Sequence, residues 1–196
     1  MKITLVGSRY FGRAVLDLLL KEPGIEIARV AVPTSDDRLA EGARAAGIEL
    51  YVHENPHLVP LGAIAPGTDL IVTAHSHARV AHDAVASARL GGIGYHPSLL
   101  PRHRGMAAVE WTVKEGDRVA GGTIYHLADK LDAGPIAAQD WVFVKKGESA
   151  RELWERALAP LGLRLLLEVV RHARDEGELP ATPQDEQFAT RAPRLD

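Results

Sequence analysis

Short β-branched runs alternate with helical patterns along the first half of the chain. The run Ile3–Val6 is followed by residues 11–20, which carry apolar side chains at helical spacing. A second run, Ile25–Val32, precedes a helix that is capped within Ser35–Asp37 and ends at Gly47. Strands separated by helices pair in parallel through right-handed crossovers. We therefore expect an α/β fold with a doubly wound, mostly parallel twisted sheet, and ligands at the carboxyl ends of its strands.

Further strands and helices are predicted in the rest of the chain. Further strands are predicted at Ile48–Val52, Leu70–Thr73, Gly92–His96, Gly122–Leu127 and Ile136–Val144. A helix is expected over about 106–114, and the capping box Ser149–Glu152 opens a longer one that runs to about Arg174. Pro160 should kink or break this helix just before it. We expect one domain over residues 1–177 and an extended tail over 178–196.

Composition limits the function classes. With 23 Lys and Arg against 26 Asp and Glu, the net charge of −3 offers no basic surface for nucleic acid or an acidic membrane. The chain has no cysteine, which excludes a thiolate nucleophile and a cysteine-based metal site. No apolar stretch approaches the roughly 18 residues of a membrane span, and the N-terminal run is too short for a signal peptide. A cytoplasmic protein with small-molecule partners is expected.

Without cysteine, the side chains left to carry chemistry are histidine, serine and the carboxylates, and histidine is frequent in this chain. Of the nine histidines, six fall in the middle of the chain, at His75, His77, His82, His96, His103 and His126. His75 and His77 alternate at a strand end, where neutral imidazoles suit Zn²⁺ or Fe²⁺. No recognised metal-ligand spacing accompanies them. A metal-dependent hydrolase is therefore one alternative, and polar or core histidines are the simpler one.

The segment Gly94–Gly105 is the most informative in the sequence. Two prolines bracket an apolar pair just after a buried-looking strand, so the chain presents His96 at the carboxyl end of that strand. Downstream, Asp132 lies in a tight turn next to Gly134, which permits close backbone approach. A histidine and a carboxylate can form a general acid–base pair in which the carboxylate orients the ring. A strand-end histidine and a turn aspartate without catalytic roles are equally consistent with this spacing.

The loop His-Pro-Ser-Leu-Leu-Pro-x-x-x-Gly and the turn Leu-Asp-x-Gly-Pro resemble the catalytic core of the folate-dependent formyltransferases. The resemblance extends over most of the chain, from the N-terminal strand with Gly7 to the tail Pro183–Glu186. It is greatest to the hydrolase domain of 10-formyltetrahydrofolate dehydrogenase, which shares Tyr-His-Pro-Ser-Leu-Leu-Pro-Arg-His-Arg-Gly. This resemblance implies a Rossmann-like formyltransferase fold and a role in one-carbon metabolism.

The resemblance also implies site residues. The family's Asn-x-His triad with a distant Asp maps onto Gly94, His96 and Asp132, so a glycine replaces the family's asparagine. The missing amide would otherwise stabilise an oxyanion, and losing one such donor typically costs about 10²–10³ in rate. The pterin ring of the folate would lie between two segments that supply cofactor-binding residues. These residues are Ser76, His77, Ala78, Arg79 and Val80, with His126, Leu127, Ala128 and Asp129.

The implied reaction is formyl transfer from 10-formyltetrahydrofolate, as co-substrate, to a small amine acceptor or to water. The acceptor is expected to approach from Ser8–Phe11, where Arg9 can contact a carboxylate or phosphate. A free-standing catalytic domain is expected from the length of 196 residues. A folate-binding or formyl-compound-binding module without turnover is the alternative that Gly94 favours.

Overall fold

The computed structural model describes residues 1–195, which form two compact units. The first unit contains Met1–Gly94 and Arg171–Glu178, and the second contains Tyr95–Val170 and the chain from Leu179 onward. Each unit is described by itself below. The boundary between a domain of residues 1–177 and a tail of 178–196 stays a prediction.

The first unit is built on a parallel sheet. Its strands are β1 (Lys2–Gly7), β2 (Glu26–Val32), β3 (Glu49–Val52), β4 (Leu58–Val59), β5 (Leu70–Ala74), β6 (Arg79–Val80) and β7 (Gly92–His96), the last of which continues into the second unit. Every pairing along the order β3-β2-β1-β5-β7 is parallel, and β4 pairs with β6 in a separate two-stranded ladder. The strand order reverses at β1, as in doubly wound sheets, and this confirms the predicted fold class.

Three helices belong to the first unit: α1 (Arg9–Leu19), α2 (Arg38–Ala45) and α3 (His82–Ser87). The carboxylate of Asp37 accepts a hydrogen bond from the amide of Leu39 and thereby caps α2, as the sequence predicts. The apolar faces of α1 and α2 bury Leu16, Leu19 and Leu39 completely. Strands β1 and β5 approach closely at Gly7, where a Cβ atom would lie 2.1 Å from the carbonyl oxygen of Ala74.

The second unit contains an antiparallel hairpin and helices. Its elements are α4 (Ala108–Lys114), β8 (Val119–His126), β9 (Ile136–Phe143), α5 (Ala150–Leu153) and α6 (Ala159–Glu176), which continues into the first unit at Arg171. Strand β8 begins at Val119 rather than at the predicted Gly122. The glycines do not end the strand, because their missing side chains make room for Leu99 against Gly121 and for Tyr95 against Gly122.

The long helix is interrupted where the sequence predicts. Ser149 and Glu152 form the capping box of α5, with both reciprocal hydrogen bonds present. A π-helical turn over Trp154–Leu158 then separates α5 from α6, whose second residue is Pro160. Proline is tolerated in the first turn of a helix because the amide that it lacks is unpaired there. The helix is thus distorted before Pro160, but helical backbone continues through the π-helical turn without a break.

The tail is tied to the second unit. Thr182 exchanges two backbone hydrogen bonds with Ile136, and Ala192 donates one to the carbonyl of Arg104. The segment Glu186–Phe188 forms a 3₁₀ turn capped by Asp185. Backbone pairing therefore holds the tail near Thr182 and near Ala192. Among residues 1–195, no helix has the length and apolar character that crossing a bilayer requires.

We predict that Gly7→Ala destabilises the protein. The added Cβ meets the backbone oxygen of Ala74, which belongs to the neighbouring strand and cannot rotate away. Overpacking of this kind typically costs about 1–3 kcal/mol. The control is Gly62→Ala, where the nearest atom to a Cβ is the Tyr51 hydroxyl at 3.6 Å. Urea unfolding should show a lower free energy for Gly7→Ala than for Gly62→Ala, and equal values would contradict the assigned packing.

Candidate active site

His96 ends β7 as a buried side chain, with 6% of its surface exposed. Its Nε2 atom lies 2.7 Å from the carbonyl oxygen of His103. A carbonyl oxygen only accepts hydrogen bonds, so Nε2 must carry a proton and donate it. The tautomer follows from this contact, and Nδ1 is then the ring atom free to gain or lose a proton. Nδ1 faces Oδ2 of Asp132 at 3.6 Å.

Asp132 is as buried as His96, and donors surround its carboxylate. Oδ2 accepts a hydrogen bond of 2.8 Å from the backbone amide of Gly105. The hydroxyl of Tyr125 also hydrogen-bonds this carboxylate, and the Tyr125 ring stands edge-on to His96 with centroids 6.4 Å apart. Burial and the charge of Asp132 raise the pKa of Tyr125 well above its ordinary value, so the phenol stays a neutral donor.

The Asp132 turn has an unusual backbone. Asp132 has φ of 50°, in the left-handed region that non-glycine residues rarely adopt. Two residues later, a Cβ on Gly134 would lie 1.8 Å from the carbonyl oxygen of His126, so this close approach requires glycine. The side-chain amide nitrogen of Gln184 donates to the carbonyl oxygens of both Asp132 and Gly134, at 2.9 and 2.7 Å. The carboxylate direction is thus set by backbone geometry.

The loop between His96 and Gly105 is anchored through a buried histidine. His103 has φ of 58°, and its Nε2 lies 2.9 Å from the carboxylate of Asp117. Arg102 binds both oxygens of Asp117 and also contacts Glu115. Burial alone would raise the pKa of Asp117, but hydrogen bonds from Arg102 and His103 outweigh it, and the pKa is lowered. This network holds His103 in place, and the backbone carbonyl of His103 accepts the hydrogen bond from His96.

The same network contains a group of possible metal ligands. Within residues 1–195, His103, Glu115 and Asp117 form the one set of three such side chains whose ligand atoms lie within 4.8 Å of one another. The guanidinium of Arg102 already hydrogen-bonds both carboxylates, which a cation would have to displace. His75 and His77, the predicted candidates, lie outside that set. Their ring centroids are 4.9 Å apart.

Several candidate residues lie in the first unit. Gly94 precedes His96 by two positions in β7, so the two positions share a face of the strand. Ser8 donates a hydrogen bond to the carbonyl of His75, and the amide of Arg9 donates to both carboxylate oxygens of Asp37. The first amide of α1, that of Arg9, is therefore already occupied by a carboxylate. Burial lowers the pKa of His75, and the charges of His77 and Arg9 lower it further.

The predicted folate-binding residues fall in both units. Ser76 donates its hydroxyl proton to the carbonyl of Ala78, and the amide of Arg79 donates to the carbonyl of His57. The side chain of His77 is exposed, and partial desolvation and then the charge of Arg9 lower its pKa. In the second unit, Nε2 of His126 lies 2.8 Å from the carbonyl of Pro180 and thereby holds the tail. The roles of these segments in ligand binding stay a prediction.

The structure adds residues that sequence reasoning did not assign to the site. The sequence indicates Gln184 only as part of the tail, yet its side-chain amide binds the backbone of the Asp132 turn. Tyr125 carries no signal in the sequence, because an aromatic residue in a strand is ordinarily part of the core. Gly105 was visible as a loop glycine, and its φ of 126° explains why glycine is needed there. Its amide contact to Asp132 depends on tertiary structure.

Comparison with known proteins gives consistent results. The sequence profile of the formyl transferase family matches residues 1–170. A mouse mitochondrial 10-formyltetrahydrofolate dehydrogenase is 35% identical over 200 residues, which cover 97% of this chain and 22% of that protein. The chain therefore spans about a fifth of that relative's length.

Two solved structures show the same fold. A glycinamide ribonucleotide transformylase from Symbiobacterium toebii superposes with a TM-score of 0.78 at 23% identity, covering 93% of this chain and 94% of that one. A formyltetrahydrofolate deformylase from Pseudomonas syringae pv. tomato gives 0.74 at 21% identity, covering 92% and 65%. At these identities the likeness establishes the fold.

We predict that Asp117→Asn lowers the free energy of unfolding at pH 7 by about 1.5–3 kcal/mol, the range for hydrogen bonds to charged groups. Because the native pKa of Asp117 is lowered, its stabilisation is present above the ordinary value of 3.8 and is lost as the pH falls through the lowered native value. The difference between the two proteins should therefore shrink below pH 3.8. Urea unfolding across this range measures it, with Glu54→Gln as an exposed control, and a pH-independent difference would contradict the network.

Proposed function

Because this chain belongs to the formyl transferase family, we propose that it is an enzyme that moves the formyl group of 10-formyltetrahydrofolate to a small amine acceptor or to water. The observation that carries the proposal is the buried pair of His96 and Asp132, with Nδ1 of the ring facing the carboxylate at 3.6 Å. These residues match the family's His and Asp in sequence. The donor substrate follows from the family and from the names of its relatives.

The reaction moves one proton in total, from the attacking nucleophile to N10 of the folate. The nucleophile, an amine or water, attacks the formyl carbon and forms a tetrahedral intermediate whose carbonyl oxygen carries negative charge. The intermediate collapses by breaking the bond between that carbon and N10 of the folate. The nucleophile loses a proton and N10 gains one, so the products are tetrahydrofolate with either a formamide or formic acid, which then ionises.

His96 and Asp132 divide this work. Nε2 of His96 is held by the His103 carbonyl, so Nδ1 is the atom that donates to the developing oxyanion when the ring is protonated. Asp132 stabilises the charged ring through its proximity to Nδ1. The amide of Gly105 and the hydroxyl of Tyr125 satisfy the hydrogen-bonding capacity of the carboxylate. The pair therefore serves as a proton relay with a fixed direction.

Gly94 supports hydrolysis as one of the two reactions. The family's asparagine would add an amide donor for the oxyanion, and a glycine at this position supplies none from a side chain. A weaker oxyanion site places more of the stabilisation on His96. We propose that a water molecule takes the place of the absent side chain. The same glycine favours the second candidate, a module that binds folate without turnover.

The donor and the acceptor would use different segments. We assign the pterin to backbone groups of Ser76–Val80 and of His126–Asp129, as the resemblance implies. Each segment keeps part of its backbone outside regular secondary structure. An acceptor with a phosphate or carboxylate would meet the side chain of Arg9 rather than its amide, because Asp37 occupies that amide.

We predict that His96→Asn and Asp132→Asn each slow turnover by at least about 100-fold, the usual contribution of a positioned acid or base. The measurement is the release of tetrahydrofolate from 10-formyltetrahydrofolate, with and without a panel of amines. His57→Asn is the control, because the His57 side chain is exposed and its contact with the predicted folate-binding segment is made by its backbone carbonyl.

The outcomes separate the candidate functions. Release without an amine supports hydrolysis, and release that depends on an amine supports transfer. Tight binding of the folate with no release under any condition would replace both with the binding module. Activity that a chelator abolishes and Zn²⁺ restores would favour the metal-dependent hydrolase. Full activity in His96→Asn would overturn the assigned site.

We predict that Gly94→Asn raises the rate of formyl transfer to an active amine, because it restores the amide donor for the oxyanion. The expected gain is about tenfold or more. It should appear in kcat, with KM for the folate unchanged. Gly94→Ala is the control, since it adds a Cβ without a donor. A fall in kcat for both variants would show instead that the glycine makes room for a reactant.

A further inference from the structure

We propose that Gln184 is a positioning residue that sets the distance between Asp132 and His96, an inference that rests on the proposed function for its effect on turnover. Gln184 lies in the tail, more than fifty positions beyond Asp132 by number, and touches the backbone of the turn rather than the reacting groups. Its side chain is part-buried. The inference follows from what each end of its amide contacts.

The orientation of the Gln184 amide is fixed by its partners. Two guanidinium nitrogens of Arg104 approach Oε1, at 2.6 and 3.1 Å, and a guanidinium only donates. Nε2 approaches the carbonyl oxygens of Asp132 and Gly134, which only accept. The amide therefore uses both of its protons and its oxygen, and rotating it by 180° would place like groups against each other on both sides.

The backbone of Asp132 needs such support. A non-glycine residue with φ of 50° is strained, and it persists only where its surroundings favour that conformation. Gln184 donates to the carbonyl oxygens on both sides of Ala133 and so holds the turn closed. We call these two hydrogen bonds the clamp. Without this clamp, relaxation of φ at Asp132 would swing its carboxylate relative to the ring of His96.

Arg104 connects the clamp to the other half of the site. It lies between His103, whose carbonyl receives Nε2 of His96, and Gly105, whose amide binds Asp132. Its guanidinium binds Gln184 and also Glu186, so the tail holds this loop by a charged pair as well. One side chain in the loop and one in the tail thus couple the backbone contacts of both His96 and Asp132.

The experiment replaces Gln184 in the full chain. Gln184→Glu keeps an oxygen for Arg104 but removes both protons from the clamp and turns a negative charge towards two carbonyl oxygens. Gln184→Met is uncharged and of similar length, and it decides the question if the first variant does not fold. Gln187→Glu makes the same chemical change on an exposed residue of the same tail and is the control.

Two readouts separate a positioning role from a structural one. The first is the kinetics of tetrahydrofolate release, where misplacement of the pair should lower kcat by about tenfold or more with KM for the folate within twofold. The second is the side-chain ¹⁵N resonances of His96, assigned by comparison with His96→Asn. These should move in the Gln184 variants and stay in place in Gln187→Glu.

The resonances test the clamp even if the wild-type chain releases no tetrahydrofolate, so failure of the proposed function and failure of this inference are distinguishable. A loss of kcat with shifted His96 resonances supports the positioning role. Unchanged His96 resonances in a folded Gln184→Met, with or without a change in turnover, would overturn it.

Discussion

The backbone carbonyl of His103 accepts a hydrogen bond from Nε2 of His96, and this contact decides which ring nitrogen is available for chemistry. Because a carbonyl cannot donate, the neutral ring must keep its proton on Nε2, and only Nδ1 can exchange protons. Nδ1 faces Asp132, so the ring and the carboxylate act along one line. The contacts described below hold either the ring of His96 or the carboxylate of Asp132 in place.

The residues that hold His96 and Asp132 in place come from distant parts of the sequence. Asp117 and Arg102 hold the side chain and neighbourhood of His103, and the tail hydroxyl of Thr190 accepts a hydrogen bond from the His103 amide. Gly105 and Tyr125 satisfy the carboxylate of Asp132. A buried ionised group is costly unless it is hydrogen-bonded, and these contacts meet that requirement for Asp132. A loop, a hairpin and the tail therefore all contribute to the placement of His96 and Asp132.

Much of this could be predicted from the sequence, and the limits are physical. The parallel strands and the caps at Asp37 and Ser149 follow from local patterns, because hydrophobic period and capping chemistry act over a few residues. Helix α3 was missed because it has six residues and a single buried side chain, too little to show a helical period. His96 and Asp132 were predicted through resemblance, whereas the pairing of Gln184 with Asp132 depends on contacts between segments far apart in the chain.

The central claim is that His96 uses Nδ1 for proton exchange. Nitrogen-15 NMR of histidine side chains in the free protein, recorded at a pH high enough to neutralise the ring, reports directly which nitrogen carries the proton. The contact with the His103 carbonyl predicts that Nε2 of His96 is protonated and that Nδ1 has the chemical shift of an unprotonated nitrogen. A neutral ring protonated on Nδ1 would contradict the account, because Nε2 would then place a lone pair against a carbonyl oxygen.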